Sequence, residues 1–210
     1  MNEDNTIAIV DYGMGNIGSI FNMLRKVGAY PVVVSTPEEL EGAVKIVLPG
    51  VGAFDQGMEK LEAAGFRQIL ERRVIEEAVP ILGICLGMHL FTRSSEEGKR
   101  PGLAWVRAHT VHFRRGLMSS PLRVPHMGWN TVKVKKPSPL FEDLDKEHRF
   151  YFLHSYHVVC DDVADVLTET EYGYPFVSSF ACGNIIGVQF HPEKSHRFGM
   201  EFFRRFVEMV

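Results

Sequence analysis

The chain has 210 residues, 45% of them hydrophobic and 23% charged, enough apolar material for one globular domain, 1–210, with a large core. Its formal net charge is −3, so no basic field points to nucleic acid or to an anionic membrane surface. No apolar run approaches the roughly 20 residues of a membrane span, the acidic start Met1-Asn2-Glu3-Asp4-Asn5 is unlike a signal peptide, and three cysteines without metal spacing fit a reduced, cytoplasmic protein.

The first half alternates strand and helix. Thr6–Val10 is a short apolar strand. Asn16 is placed to cap a helix whose apolar positions Ile17, Ile20, Phe21, Leu24 and Val27 follow helical spacing, with Gly28 as its stop. Residues 31–34 and 45–48 read as the next two strands, the second ending at Pro49-Gly50-Val51-Gly52. Asp55 is then expected to cap a helix to about Ala64, with another to about Glu77. Residues 79–84 form a fourth strand running into Gly83-Ile84-Cys85-Leu86-Gly87. This order predicts an α/β fold, doubly wound, with a mostly parallel central sheet flanked by helices in the flavodoxin-like manner. Ligands of such sheets bind at the carboxyl ends of the strands, where both glycine-rich turns fall.

The second half carries short runs broken by Gly, Pro and Asp. Residues 104–113, 131–135, 150–153, 156–159, 166–171, 176–181 and 185–189 read as added antiparallel strands beside the parallel core. A closing helix places Phe198, Phe202, Phe203, Phe206 and Val210 on one face, to pack on the sheet.

Cys85 between two glycines, after a strand and before a helix-like run, has the layout of a nucleophile elbow. The turn leaves no room for flanking Cβ atoms and sets the thiol at a helix N-terminus, where the thiolate is favoured. A buried cysteine in a glycine-rich core turn fits the same five residues. A catalytic thiol needs a base, and among nine histidines only His191 brings a partner, in His191-Pro192-Glu193. Pro192 favours extended backbone at His191, so that residues 191 and 193 share a face and the carboxylate can support an imidazolium. A strand-end histidine beside a surface glutamate is the plain alternative. The glycines of 49–52, with the Leu86 amide, can offer N–H groups to an oxyanion. A phosphate loop fits less well, because no third spaced glycine and no Lys-Ser/Thr follows.

Six ordered motifs carry a resemblance over nearly the whole chain. They are Asp11-Tyr12-Gly13-Met14-Gly15-Asn16, Pro49-Gly50-Val51-Gly52-Ala53-Phe54, Gly83-Ile84-Cys85-Leu86-Gly87-Met88, Pro125-His126-Met127-Gly128-Trp129-Asn130, Tyr151-Phe152-Leu153-His154-Ser155-Tyr156 and Gln189-Phe190-His191-Pro192-Glu193-Lys194-Ser195. With them the chain resembles class I, triad-type glutamine amidotransferases, and within these the glutaminase subunits of imidazole glycerol phosphate synthase. The resemblance implies a thiol nucleophile at Cys85, a general base and acid at His191 and an orienting carboxylate at Glu193, with the Val51 and Leu86 amides as oxyanion hole. It implies a pocket for L-glutamine from Gly52, Glu97, His154, Ser155 and Tyr156, without metal or organic cofactor. It also implies a partner, a (β/α)₈ barrel cyclase that receives the ammonia and docks at Trp129, Asn130 and Tyr151.

Two features depart from that pattern. Where the family usually carries a substrate-contacting glutamine, four residues after the nucleophile, this chain has His89. An imidazole cannot reproduce an amide's paired donor and acceptor, and it titrates near neutral pH, so weaker or pH-dependent glutamine binding is expected. Asn16-Ile17-Gly18-Ser19 and the stretch from Glu193 to Met200 resemble paralogues that feed a sugar amidotransferase in surface-polysaccharide synthesis. A cysteine hydrolase of peptides or esters on the same elbow and a non-catalytic flavodoxin-like binding module with an inert Cys85 are the remaining readings.

Overall fold

The computed structural model describes residues 6–114, 123–142 and 148–209. Along the chain run β1 (Thr6–Val10), α1 (Ile17–Lys26), β2 (Tyr30–Val34), β3 (Lys45–Gly50), α2 (Phe54–Ala63), α3 (Phe66–Glu71), β4 (Ile81–Cys85) and α4 (Leu86–Leu90). Then come β5 (Ala108–His112), β6 (His126–Thr131), β7 (Lys133–Val134), β8 (Arg149–His154), β9 (Tyr156–Cys160), β10 (Val166–Glu171), β11 (Pro175–Cys182), β12 (Ile185–Val188) and α5 (His196–Glu208).

The main sheet has the order β2-β1-β3-β4-β12-β11-β10-β7, with β9 joined to β11 and β5 to β9. The first five strands run parallel, and β11, β10 and β7 continue the sheet antiparallel. The parallel part has the strand order of flavodoxin-like folds. β6 and β8 form a separate two-stranded sheet. Side chains alternate across the parallel strands as the pleat requires. Ala8, Val10, Ile46, Leu48 and Ile81 meet α2, α3 and α4 through Phe54, Met58, Leu61, Phe66, Leu70 and Leu90. Ile7, Ile9, Val47, Leu82 and Ile84 meet α1 and α5 through Ile20, Leu24, Phe202, Phe203 and Phe206. Apolar burial on both faces explains why these strands read as continuous apolar runs.

The helix after the elbow lies unusually close to the sheet. Gly83 and Gly187 are cross-strand partners on its side of the sheet. A Cβ on Gly187 would come within 2.6 Å of Met88, and one on Gly83 within 2.4 Å of Phe91. A Cβ on Gly87 would stand 1.9 Å from the Leu48 carbonyl oxygen. These glycines therefore hold α4 down over the ends of β3 and β4.

Several expectations change. The run at 185–189 is the fifth parallel strand as well as an antiparallel partner, because β12 pairs β4 on one side and β11 on the other. Asp55 does not cap α2: Ala53 holds that position, and Asp55 instead accepts the backbone N–H groups of Lys99 and Arg100 at 2.9–3.0 Å. Asn16 sits at the N-cap of α1 but makes no side-chain capping bond. Within 104–113 only Ala108–His112 is strand. β6 was not expected as a strand, because its glycine and outward Met127 and Trp129 blur the apolar alternation. On α5, Val207 is buried beside the three phenylalanines, while Val210 lies outside the described residues.

Gly87→Ala is expected to destabilise the fold by about 3 kcal/mol or more, since a backbone carbonyl cannot yield to the new methyl. Gly18→Ala, in α1 with open space around it, should be neutral or stabilising by up to about 1 kcal/mol. Urea midpoints of the two variants check both.

Candidate active site

Cys85 is the last residue of β4 and immediately precedes α4, with φ 54° and ψ −109°. That conformation is costly for a residue with a Cβ, on the order of 1–3 kcal/mol, and persists only where the surroundings enforce it. Here β3 pairs with β4 up to Gly50 and Cys85, while the glycine-lined packing of α4 fixes the far side of the turn. The thiol is 3.9 Å from the Leu153 carbonyl oxygen and 3.8 Å from Nε2 of Gln189, and it shares its cavity with His191.

His191 is held at both backbone ends. Its N–H donates to the Tyr151 carbonyl at 2.8 Å. The Ser195 hydroxyl donates to the His191 carbonyl at 2.6 Å and accepts from the Tyr151 N–H at 3.0 Å. The backbone at His191 is extended, as the following proline requires, but Pro192–Lys194 is a 3₁₀ turn. The carboxylate therefore reaches the imidazole around a turn rather than along a strand face. Glu193 Oε1 lies 2.8 Å from His191 Nδ1, both side chains being almost fully buried. A carboxylate accepts only, so Nδ1 carries the proton and Nε2 is left for the sulfur. Burial opposes charge on this ring. The hydrogen bonds and charges of Cys85 and Glu193 outweigh burial and raise the pKa to about 10.

The next strand supplies the facing loop. Tyr12 donates its hydroxyl to the Pro49 carbonyl at 2.8 Å. A Cβ on Gly50 would lie 2.8 Å from Leu86 Cβ and 2.9 Å from the Gly87 nitrogen, and Gly52 has φ +124°. Glycine is thus required twice in this loop. Val51 between them is half exposed at the rim of a cavity of about 270 Å³.

That cavity is lined by Gly52, Cys85, Leu86, His89, Glu97, His154, Ser155, Tyr156 and His191 among others, so the sequence-derived nucleophile, base and pocket positions meet there, while Glu193 reaches the site only through His191. Pro125 and Lys194 also line it and were not anticipated as pocket residues. Glu97 accepts the Phe54 N–H at 2.9 Å through one oxygen, and burial raises its pKa. The three Asp55 hydrogen bonds anchor the segment just beyond Glu97, which no sequence pattern revealed.

Two histidines differ from expectation. His89 is 4% exposed, its Nε2 is 2.8 Å from the Gln189 side-chain oxygen, and burial lowers its pKa to about 4. It is neutral near neutral pH, which removes the basis for pH-dependent glutamine binding through its titration. His154 lines the cavity, but its ring nitrogens are occupied elsewhere. Nδ1 bonds the Tyr156 carbonyl at 2.7 Å and Nε2 meets His126 Nδ1 at 2.9 Å. The Tyr156 oxygen can only accept, so His154 donates there and accepts from His126, whose Nε2 faces the Asn130 amide at 3.3 Å. Asn130 also donates to the Glu171 carbonyl at 2.9 Å. Its amide is thus used internally, whereas Trp129, 46% exposed, presents an aromatic face stacked on His196 and is the cross-strand neighbour of Tyr151.

Among the described residues no group of three or more His, Cys, Asp or Glu is arranged to hold a metal, and no helix is long and apolar enough to cross a membrane. The sequence model of the class-I glutamine amidotransferase family matches residues 8–210, and the chain belongs to that family. Among its relatives, a protein named imidazole glycerol phosphate synthase subunit HisH 2 from Methanococcus maripaludis is 50% identical, over 97% of this chain and 100% of that protein. A subunit HisH 2 from Pseudomonas aeruginosa is 44% identical over the same shares of the two chains. The fold is also that of PurLQS from Thermotoga maritima, with a TM-score of 0.71, 16% identity and 97% of each chain covered.

Burial lowers the pKa of His89, His126 and His157 to about 4, and that of His154 well below its ordinary 6.5. Below pH 6.5 the unfolded chain then binds more protons than the folded one. The contribution of these rings should be full above 6.5 and fall toward pH 4, by up to about 1.4 kcal/mol per pH unit for each such ring. His191 works in the opposite sense: its contribution is present below 6.5 and is lost as pH rises through about 10. Urea unfolding from pH 4 to 10 should trace a dome; a flat acid limb would contradict the buried neutral rings.

Proposed function

We propose that this chain is the glutaminase subunit of an imidazole glycerol phosphate synthase. It hydrolyses L-glutamine to glutamate and ammonia and passes the ammonia to a (β/α)₈ barrel cyclase subunit in cytoplasmic histidine biosynthesis. The observation that carries the reading is a cysteine on a strained elbow and a histidine facing one amino-acid-sized cavity, the histidine backed by the buried carboxylate of Glu193.

In this reading the Cys85 thiolate attacks the side-chain amide carbon of glutamine, and the carbonyl electrons move to oxygen. The N–H groups of Leu86, first residue of α4, and Val51 receive that oxyanion. His191 Nε2 gives its proton to the amide nitrogen, which leaves as ammonia when the carbon–nitrogen bond breaks. A γ-glutamyl thioester remains. Water then gives a proton to His191 and attacks the thioester, releasing glutamate and restoring the thiolate–imidazolium pair. Glu193 keeps the ring in one tautomer and stabilises its charge throughout. Glu97 receives the substrate α-amino group with its remaining oxygen. Gly52 and the Ser155–Tyr156 backbone flank the substrate, with His154 supporting that backbone from behind. Ammonia protonates in bulk water and ceases to be a nucleophile, so release beside a docked partner has a chemical reason. Exposed Met127 and Trp129 on β6, with Tyr151 on β8, form the docking face beside the His191 backbone.

A second acceptor has one observation in its favour: the relatives from Methanococcus and Pseudomonas are both numbered as a second HisH. An organism with two such subunits can commit one to another ammonia acceptor, such as a sugar amidotransferase.

Glutaminase activity should rise when the barrel subunit and its nucleotide ligand are added, and Cys85→Ala should abolish it. Stimulation by a sugar amidotransferase alone would move the chain to the second acceptor. Activity surviving in Cys85→Ala would overturn the nucleophile.

A further inference from the structure

Among the described residues, Gln189 brings a side-chain hydrogen bond to the nucleophile. Gln189 is fully buried, two residues before the base, and its Nε2 lies 3.8 Å from Cys85 Sγ. Its other end, Oε1, is 2.8 Å from His89 Nε2. An amide carbonyl only accepts, so His89 donates there, and the amide N–H₂ is turned toward sulfur. In the reverse orientation the carbonyl oxygen would face the sulfur, opposing a thiolate and favouring an S–H donor. The two orientations thus favour opposite protonation states of the nucleophile, and His89 chooses between them. His89 can do so because it sits four residues after Cys85, one turn along α4, and is buried against the strand that leads to Gln189.

We propose that Gln189 is a catalytic residue that donates an N–H to the Cys85 sulfur, and that His89 is a positioning residue that fixes the Gln189 amide in the donating orientation. The bond stabilises the thiolate before attack. It also stabilises the negative charge returning to sulfur as the thioester is hydrolysed. It supplements the His191 imidazolium from a second direction. His89 therefore serves the nucleophile through a side chain 100 positions away in sequence.

The proposal rests on Cys85 as nucleophile, and iodoacetamide alkylation followed at Cys85 from pH 5 to 10 reads the two ideas separately. In the wild type, Cys85 should react faster than Cys160 and Cys182; equal or slower reaction would defeat the nucleophile reading itself. Gln189→Met keeps the length of the side chain and removes the N–H. It should slow alkylation at neutral pH roughly ten- to hundredfold, the range for one hydrogen bond to a charged group, and move the profile to higher pH. His89→Leu should have a smaller effect of the same kind, and His89→Gln, whose amide N–H reaches the same oxygen, should restore the rate. The double variant Gln189→Met/His89→Leu should match Gln189→Met alone, because the histidine acts only through the glutamine. A wild-type profile in folded Gln189→Met, or full additivity of the two losses, would overturn the proposal. If Gln189→Met does not fold, Gln189→Glu supplies the test: an acceptor at this position should depress alkylation at least as much, and unchanged alkylation would equally overturn it.

Discussion

The site depends on a single close approach. A short helix is pressed onto the carboxyl ends of two parallel strands until the Gly87 position stands against the Leu48 carbonyl, with no space for a methyl group between them. This contact confines Cys85 to a conformation that residues with a Cβ avoid. The neighbouring strand carries Gly50 and Gly52, so its backbone can run beside the elbow without side-chain interference. Nucleophile and facing loop are thus set by sheet register rather than by flexible side chains. Positions built on such register can be held to the fraction of an ångström that acyl transfer requires.

Two electrostatic environments lie side by side around the thiol. His191 has a buried carboxylate on one nitrogen and the sulfur near the other, and its pKa rises to about 10. His89, His126 and His157 have neutral or hydrogen-bonding partners and no buried carboxylate, and burial drops each to about 4. The same residue type is therefore held as an imidazolium where charge is needed and as a neutral hydrogen-bonding ring elsewhere. Cys85 and, after it, Glu193 account for the difference. The neutral rings order the polar interior: His154 and His126 link the Tyr156 carbonyl at the cavity to Asn130 on β6, and His89 links to Gln189.

The parts of the site that can be read from sequence are those with local causes. Gly83–Gly87 announces its turn through residue size, and His191-Pro192-Glu193 pairs base and carboxylate within three residues. The parallel core is equally visible, because each strand is a bare apolar run between helical patterns. The parts that cannot be read depend on distant pairing. Gln189 stands inside a motif already recognised, yet its role arises only because β12 lies beside β4 and brings it to Cys85. Ser195 locks the His191 backbone to β8 through two hydrogen bonds that no local pattern indicates. Asp55 had the look of a helix cap and serves instead as an anchor for a loop more than 40 residues away. β6 was obscured because a strand with outward aromatic and methionine residues lacks the polar-out alternation by which strands are recognised.

The central claim is that the strained elbow turns Cys85 into the residue that covalently accepts the γ-glutamyl group. The direct measurement is peptide mass spectrometry after mixing the protein with glutamine and quenching in acid within the first turnovers. The account predicts a γ-glutamyl adduct on the peptide carrying Cys85, lost when the sample is treated with hydroxylamine, as a thioester requires. Ammonia release with no adduct at Cys85, or with the adduct on Cys160 or Cys182, would contradict it.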